Sequence, residues 1–300
     1  FKQKTAYEIM PSLVGSEMCI RDRAWEDLWR RFWREVHAFS PGSRRGETWH
    51  RLLRPLLEAA APHLAGVRRV VLAPAAMGHL LPWPALLVDV LPVATIPALA
   101  LLMHLQRRPP SNRREVMVVG NPKGDLQHAE REAREVAEIL RTQPLIGPDA
   151  RREAVLERLA GVGIAHMATH AYFSPHSPLD SGIVLYDGIL TAREILERGL
   201  RVPDFLALSA CQTGMAGALG GDEFAGLGQA LLYAGARSLL LSLWAVDDPA
   251  TAHLMIGFYR CWQEEGLDKA AALRGAMQAT RRVWAPTFYW GAFTLVGDWQ

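Results

Sequence analysis

Two apolar runs decide how this chain is read: IAHMATH, from Ile164 to His170, and FLALSAC, from Phe205 to Cys211. Each has the length and composition of a buried strand. Working towards the N-terminus, Val116 to Val119 is a third apolar run, ending at Gly120-Asn121-Pro122. Leu126 to Leu140 then places Ala129, Ala133, Val136, Ala137 and Leu140 on one helical face. Leu145-Ile146-Gly147 reads as a short strand and Ala150 to Leu159 as a helix. Between the two deciding runs, Ile183 to Leu190, with Asp187-Gly188 at its centre, is a hairpin signal. Thr191 opens a helix through a Thr-x-x-Glu capping box completed by Glu194. Towards the C-terminus follow a helix (Phe224 to Ala234), a strand (Ser238 to Trp244), two helices (Pro249 to Trp262 and Lys269 to Arg282) and a last strand (Ala292 to Val296). This alternation over 113–300 predicts an α/β fold: a mainly parallel central sheet with helices on both faces. In such sheets the chemistry lies beyond the carboxyl ends of the strands.

The first third is less regular. Trp25, Leu28, Trp29, Phe32, Trp33 and Val36 recur at helical spacing and form an aromatic packing stripe. Ser40-Pro41-Gly42-Ser43 reads as a linker, and Glu47 to His63 as a second helix. Arg68 to Ala73 is a buried strand signal, and Leu80 to Val88 and Val93 to Leu101 read as further short apolar segments. Pro74, Pro82, Pro84, Pro92 and Pro97 interrupt this stretch, so it suits short buried strands better than a spanning helix. KQKTAYEI (2–9) and LVGSEMCIRDR (13–23) resemble in-frame translations of sequencing-library adapters. Residues 1–23 are therefore read as an artefact and 24–45 as a helix and linker from a truncated N-terminal region. The domain proper is expected at 46–300, in two parts, 46–112 and 113–300.

Composition narrows the function classes. The chain has 300 residues, half of them apolar, with 33 Lys+Arg against 31 Asp+Glu and a net charge of +2. Such a balance argues against a nucleic-acid binder driven by bulk charge. No apolar run reaches the length of a membrane span. Three cysteines, Cys19, Cys211 and Cys261, make no disulfide framework; they point to a reducing, cytoplasmic setting and a free thiol.

His170 and Cys211 close their respective runs, which as adjacent parallel strands would bring both side chains to one sheet edge. A thiol beside an imidazole is more thiolate and more nucleophilic near neutral pH. The alternative is a buried cysteine and a merely hydrogen-bonded histidine. Gly214 allows a close approach of substrate backbone. Cys261 lies in an amphipathic helix with no turn chemistry beside it. His166, His170, His176 and Cys211 could instead be thought metal ligands. On a strand, however, His166 and His170 stand about 13 Å apart, far beyond the ~2.0–2.1 Å that two nitrogens of one zinc site require, so no metal is expected. Gly120-Asn121-Pro122-Lys123-Gly124 lacks the pattern of a phosphate loop, and no Gly-x-Ser-x-Gly elbow is present.

Six stretches together resemble the CHAT family, caspase-like cysteine proteases often fused to tetratricopeptide repeats. They are LAPAAMGHLLPWPAL (72–86), VVGNPKGDLQHAEREAREVAEIL (118–140), IAHMATHAYFSPHSPLDSGIVLYDGILTAREI (164–195), LALSACQTG (206–214), GLGQALLYAGARSLLLSLWAVDDPATAHLMIGFY (226–259) and YWGAFTLVGD (289–298). Ala-Thr-His-Ala and Ser-Ala-Cys-x-Thr-Gly are the most specific blocks; Ala75-Ala76 departs from the family's usual Asp-Gly turn. The resemblance implies a caspase-like sandwich with 113–300 as its catalytic part, and peptide-bond hydrolysis without a cofactor. Cys211 would be the nucleophile and His170 the general acid/base, with the backbone amides of Cys211 and Ala171 holding the oxyanion. It nominates no carboxylate partner for the histidine. Basic-specific relatives carry an acidic residue after the first strand and often another two before the cysteine; here Asp125 stands at the first place and Ser209 at the second. Cleavage after Arg or Lys is therefore expected, with Asp180, Asp222, Asp247 and Asp248 as alternative acids. Asp125 could equally be a helix N-cap, and Trp244 either the wall of a subsite or core. Expected partners are a protein or peptide substrate and a regulatory partner or upstream repeats, with no nucleic acid and no membrane. A catalytically silent interaction module is the rival reading. Tyr172–Asp180 and Thr213–Asp222 are the expected mobile loops.

Overall fold

The computed structural model describes residues 30–32, 34–35, 49–74, 76–172, 174, 176–209, 223–244 and 247–300. Cys211, Gly214, Asp222 and the loop Thr213–Asp222 lie outside these residues.

Eight strands form one sheet. β1 (Val70–Leu72) and β2 (Val93–Thr95) come from the first part of the chain. β3 (Glu115–Gly120), β4 (Leu145–Ile146), β5 (Val162–Ala168), β9 (Phe205–Ser209), β10 (Ser238–Ser242) and β11 (Phe293–Gly297) come from the second. Their spatial order is β1-β2-β11-β10-β9-β5-β3-β4. All neighbours are parallel except β10 and β11. The strands from 46–112 thus extend the same sheet. A small antiparallel sheet of β6 (Ala171–Tyr172), β7 (Gly182–Leu185) and β8 (Gly188–Thr191) stands beside it.

Side-chain alternation divides the core in two. Val118, Phe205, Ala207, Leu240 and Leu295 face the layer of α4 (Gln127–Ile139), α8 (Asp248–Tyr259) and α9 (Lys269–Val283). Met117, Val119, Met167, Leu206, Leu208 and Leu239 face the other side. There α5 (Arg152–Leu159), α6 (Ala192–Glu197), α7 (Glu223–Tyr233) and the β7–β8 hairpin cover them. Apolar residues of both parities along one strand are what a sheet buried on both faces demands. Residues 30–32 and 34–35 are helical, and Phe32 is buried edge-to-face against Trp244, with ring centroids 6.0 Å apart.

Several expectations change at the level of elements. α1 (Trp49–Ala60) continues into a 3-10 turn, Ala61–His63. Leu80 to Val88 forms no strand: Ala76–Leu80 is a 3-10 turn and α2 (Trp83–Leu86) follows it. Pro82 stands at the N-cap of α2 and Pro84 within its first turn, where a missing N–H costs nothing. Beyond β2, Leu99–Arg107 is a helix, α3, so the apolar segment Val93 to Leu101 divides between a strand and the start of a helix. The hairpin turns at Tyr186-Asp187, with Leu185 opposite Gly188, one residue earlier than Asp187-Gly188 implied. α8 ends in a π-helical turn, Arg260–Glu264.

Candidate functional site

The two chemically decisive runs lie side by side. β5 and β9 pair in parallel, with Ala168 opposite Ser209. One residue on, Thr169 N–H donates to Ser209 O at 3.2 Å. His170 and Cys211 each lie two residues beyond the Ala168–Ser209 pair. The strand stops at Ala168 rather than reaching His170.

Past β5 the chain turns into the small sheet. Val184 N–H donates to His170 O at 2.9 Å, and Thr169 Oγ1 donates to Val184 O at 2.7 Å. These bonds hold the backbone on both sides of the histidine. Ala171 lies opposite Ile183. Because the flanking bond runs from Val184 to His170, this is a non-hydrogen-bonded antiparallel pair, and the Ala171 N–H points away from β7.

The second element of the site is the turn after β3. Asn121 adopts a left-handed conformation, φ 45°, and its N–H donates to Ala168 O at 2.9 Å. Its side-chain Oδ1 accepts from Leu126 N at 2.9 Å, and Gly124, at φ 78°, closes the loop through Gly124 N–H to Asn121 O at 3.1 Å. Gly120 must be glycine for another reason: a Cβ there would lie 2.3 Å from the Ala133 Cβ, where α4 passes over the strand end. The turn delivers Asp125 to the histidine, with Asp125 Oδ2 3.0 Å from His170 Nε2. The Asp125 side chain is 58% exposed and that of His170 19%. Asp125 is not a helix N-cap: Leu126 occupies that position and α4 starts at Gln127.

The remaining expected residues fall as follows. Ser209 is buried, and its Oγ has no partner among the described residues. Of the two readings of Trp244, wall or core, the burial is that of core: it is 1% exposed, packed on Phe32, with Nε1 donating to Phe288 O at 3.1 Å. Asp180 pairs with Arg193 at 2.8 Å, Asp247 caps α8 by accepting from Ala250 N, and Asp248 accepts from His128 N at 3.1 Å. His166 and His170 go to different carboxylates. His166 Nε2 is 2.9 Å from Glu132 Oε1, both side chains fully buried, although their alignment makes no hydrogen bond. The Tyr259 ring stands edge-on to His166 at 5.3 Å. This trio is part of the core, and the Tyr259 phenol is held well above its ordinary pKa by burial and by the charge of Glu132. Cys261 is half-buried, and burial, with Glu265 beside it, pushes its thiol up, away from nucleophilic character. Residues 172–180, expected as a loop, begin with the last residue of β6 and end in a 3-10 turn, Pro178–Asp180; Ser174 N–H donates to Ser181 Oγ at 3.0 Å.

The contact between His170 and Asp125 is the feature that sequence reasoning missed. The available signal was positional: both residues follow strands that are neighbours in a parallel sheet.

Comparison with known proteins agrees with this architecture. The CHAT domain family model matches residues 44–298. Tetratricopeptide repeat protein 28 of mouse is 28% identical over 249 aligned residues, covering 65% of this chain and 10% of the relative. The human protein of the same name is 27% identical with the same coverage. The chain thus spans about a tenth of the length of these relatives. Among solved structures, the Saccharomyces cerevisiae separase–securin complex superposes with a TM-score of 0.57 at 16% identity, covering 85% of this chain and 18% of that one. Gingipain R, an Arg-specific cysteine proteinase, superposes with a TM-score of 0.53 at 10% identity, covering 70% and 54%. No helix among the described residues is long and apolar enough to cross a membrane. With its parallel sheet, its flanking helices and the family match over most of its length, the chain belongs to the CHAT domain family and has a caspase-like α/β fold.

Proposed function

We propose that this chain is a cysteine endopeptidase working through a dyad of Cys211 and His170. The observation that carries the reading is the register of β5 and β9, from whose last pair both residues lie equally far. In this mechanism His170 takes the proton of the Cys211 thiol, and the thiolate attacks the carbonyl carbon of the scissile bond. His170 then protonates the leaving amine as the C–N bond breaks. Water hydrolyses the thioester: His170 accepts its proton and returns it to sulfur. The tetrahedral oxyanion is met by the amides of Cys211 and Ala171; the latter is not taken up by β7, which suits it to this task. Alanine is adequate at 171, since only its N–H is required. No cofactor enters these steps.

Cleavage after Arg or Lys is the proposed specificity. Asp125, exposed beside His170, is the acid at hand for a guanidinium or ammonium, with Ser209 close to the cysteine in sequence. Trp244 contributes as a buried support rather than as exposed wall. A protein or peptide substrate is the proposed partner, and the repeat-bearing relatives support an upstream tetratricopeptide region as the regulator. The decisive test uses fluorogenic peptides with Arg, Lys or a neutral residue at P1. Cys211→Ala should abolish hydrolysis, by at least about 10³-fold in kcat, and leave the circular dichroism unchanged. Turnover retained by that variant would overturn the assignment. Absence of turnover by the unmodified chain on every peptide would favour the interaction module.

A further inference from the structure

We infer that Asp125 is a positioning residue for His170; this rests on the dyad reading above and deepens it. Two independent observations carry the inference. His170 Nε2 lies 3.0 Å from Asp125 Oδ2, whereas His170 Nδ1 is buried and has no partner among the described residues. Only one nitrogen of a neutral imidazole carries a hydrogen. A carboxylate can only accept, so the hydrogen sits on Nε2 and the lone pair on Nδ1, which makes Nδ1 the basic nitrogen of the ring.

The loop that bears Asp125 is also tied to the strand that bears His170. Asn121 N–H bonds Ala168 O, two residues before the histidine, and Asn121 Oδ1 holds Leu126 N, one residue after the aspartate. The aspartate and the histidine are therefore positioned by one hydrogen-bonded unit rather than by two loops moving separately. When Nδ1 takes the thiol proton, the imidazolium keeps its Nε2–H on the Asp125 carboxylate. The proton on Nδ1 later goes to the leaving amine, so no proton passes to the aspartate.

The acid therefore has two separable effects. As a P1 acid it would act on basic substrates only and chiefly through KM. As a positioning residue it acts on kcat for every substrate. Asp125→Asn should lower kcat for Arg and neutral P1 peptides by the same factor, roughly 10- to 10²-fold for a misoriented base. Asp125→Glu should restore part of kcat. A loss confined to the KM of basic substrates, with kcat unmoved, would overturn the inference and leave Asp125 as a specificity residue alone.

Two readouts do not depend on peptide turnover. Nitrogen-15 NMR of the full chain with the His170 imidazole neutral should show the Nε2–H tautomer; an Nδ1–H tautomer would overturn the inference. The pH dependence of iodoacetamide alkylation at Cys211, read by mass spectrometry with Cys261 as the internal control, should shift in Asp125→Asn at Cys211 only. If that shift appears while no peptide is cleaved, the positioning role stands and the peptidase reading falls. If alkylation and tautomer are both unaffected by the substitution, the positioning role falls whatever the peptides show.

Discussion

At the scale of single residues, the site depends on one small side chain far more than its chemistry suggests. Gly120 has no catalytic atom, yet a methyl group there would meet Ala133 Cβ at 2.3 Å and Ile146 Cδ1 at 2.9 Å. Ala133 is fully buried on α4, and its Cβ, fixed to the backbone, cannot retreat cheaply. Gly120→Ala should cost about 1–3 kcal/mol of stability by overpacking, read from the urea midpoint, and should displace the Asn121–Asp125 turn. An unchanged midpoint would mean that α4 slides freely over β3. Asn121 beside it shows how much a single dihedral does: its positive φ lets one residue bond Ala168 with its backbone and Leu126 with its side chain. Both residues were visible in the sequence as part of a Gly-Asn-Pro turn. What stayed hidden was the direction in which that turn would aim Asp125, because an aspartate before a helix is as readily a cap as a hydrogen-bond partner of a distant histidine.

At the scale of elements, the regular second part was legible because its strands and helices each carry their own signal. The Thr-x-x-Glu box before α6 is an instance: Thr191 Oγ1 accepts from Glu194 N at 3.1 Å, as its spacing implied. The Glu194 carboxylate does something the box does not announce. It holds Arg152 at 2.7 Å and Arg198 at 3.0 Å, tying α5 to α6. Thr191→Ala should cost about 1 kcal/mol, again by urea denaturation; a loss near zero would show that these ion pairs alone set the helix start. The first part of the chain was read less well for a physical reason. Val67 to Met103 is apolar almost throughout, so periodicity cannot separate a short buried strand from a short buried helix. Its prolines read as breaks in the sequence, whereas Pro82 and Pro84 start α2.

At the scale of the whole molecule, buried charge gives the fold a pH dependence of known sign. Lys269, at the start of α9, is buried between the rings of Phe205 and Trp262, and its Nζ donates to Gln300 O. Burial lowers its pKa to about 8 from an ordinary 10.5. Between these values the folded chain has released a proton that the unfolded chain still holds, so stability rises as pH increases across that window, by about 3 kcal/mol at most. Tyr259 acts oppositely: its buried phenol stays protonated while the unfolded chain ionises above about pH 10. Urea midpoints should therefore climb from pH 8 and turn down beyond about pH 10. Lys269→Met should flatten the climb; an unaltered slope would show that another group is responsible. By itself, the sequence determined the fold class, the order of strands and helices from residue 113 onward, and the isolation of Cys211 and His170 at the ends of two apolar runs. These properties are local, set by periodicity, turn residues and composition over a few residues. Only the tertiary structure decided that residues 46–112 add two strands to the same sheet, that Trp244 is covered by Phe32, and that Asp125 meets His170. Each of those outcomes joins residues distant along the chain, and such contacts depend on strand order and helix placement, which no local spacing encodes.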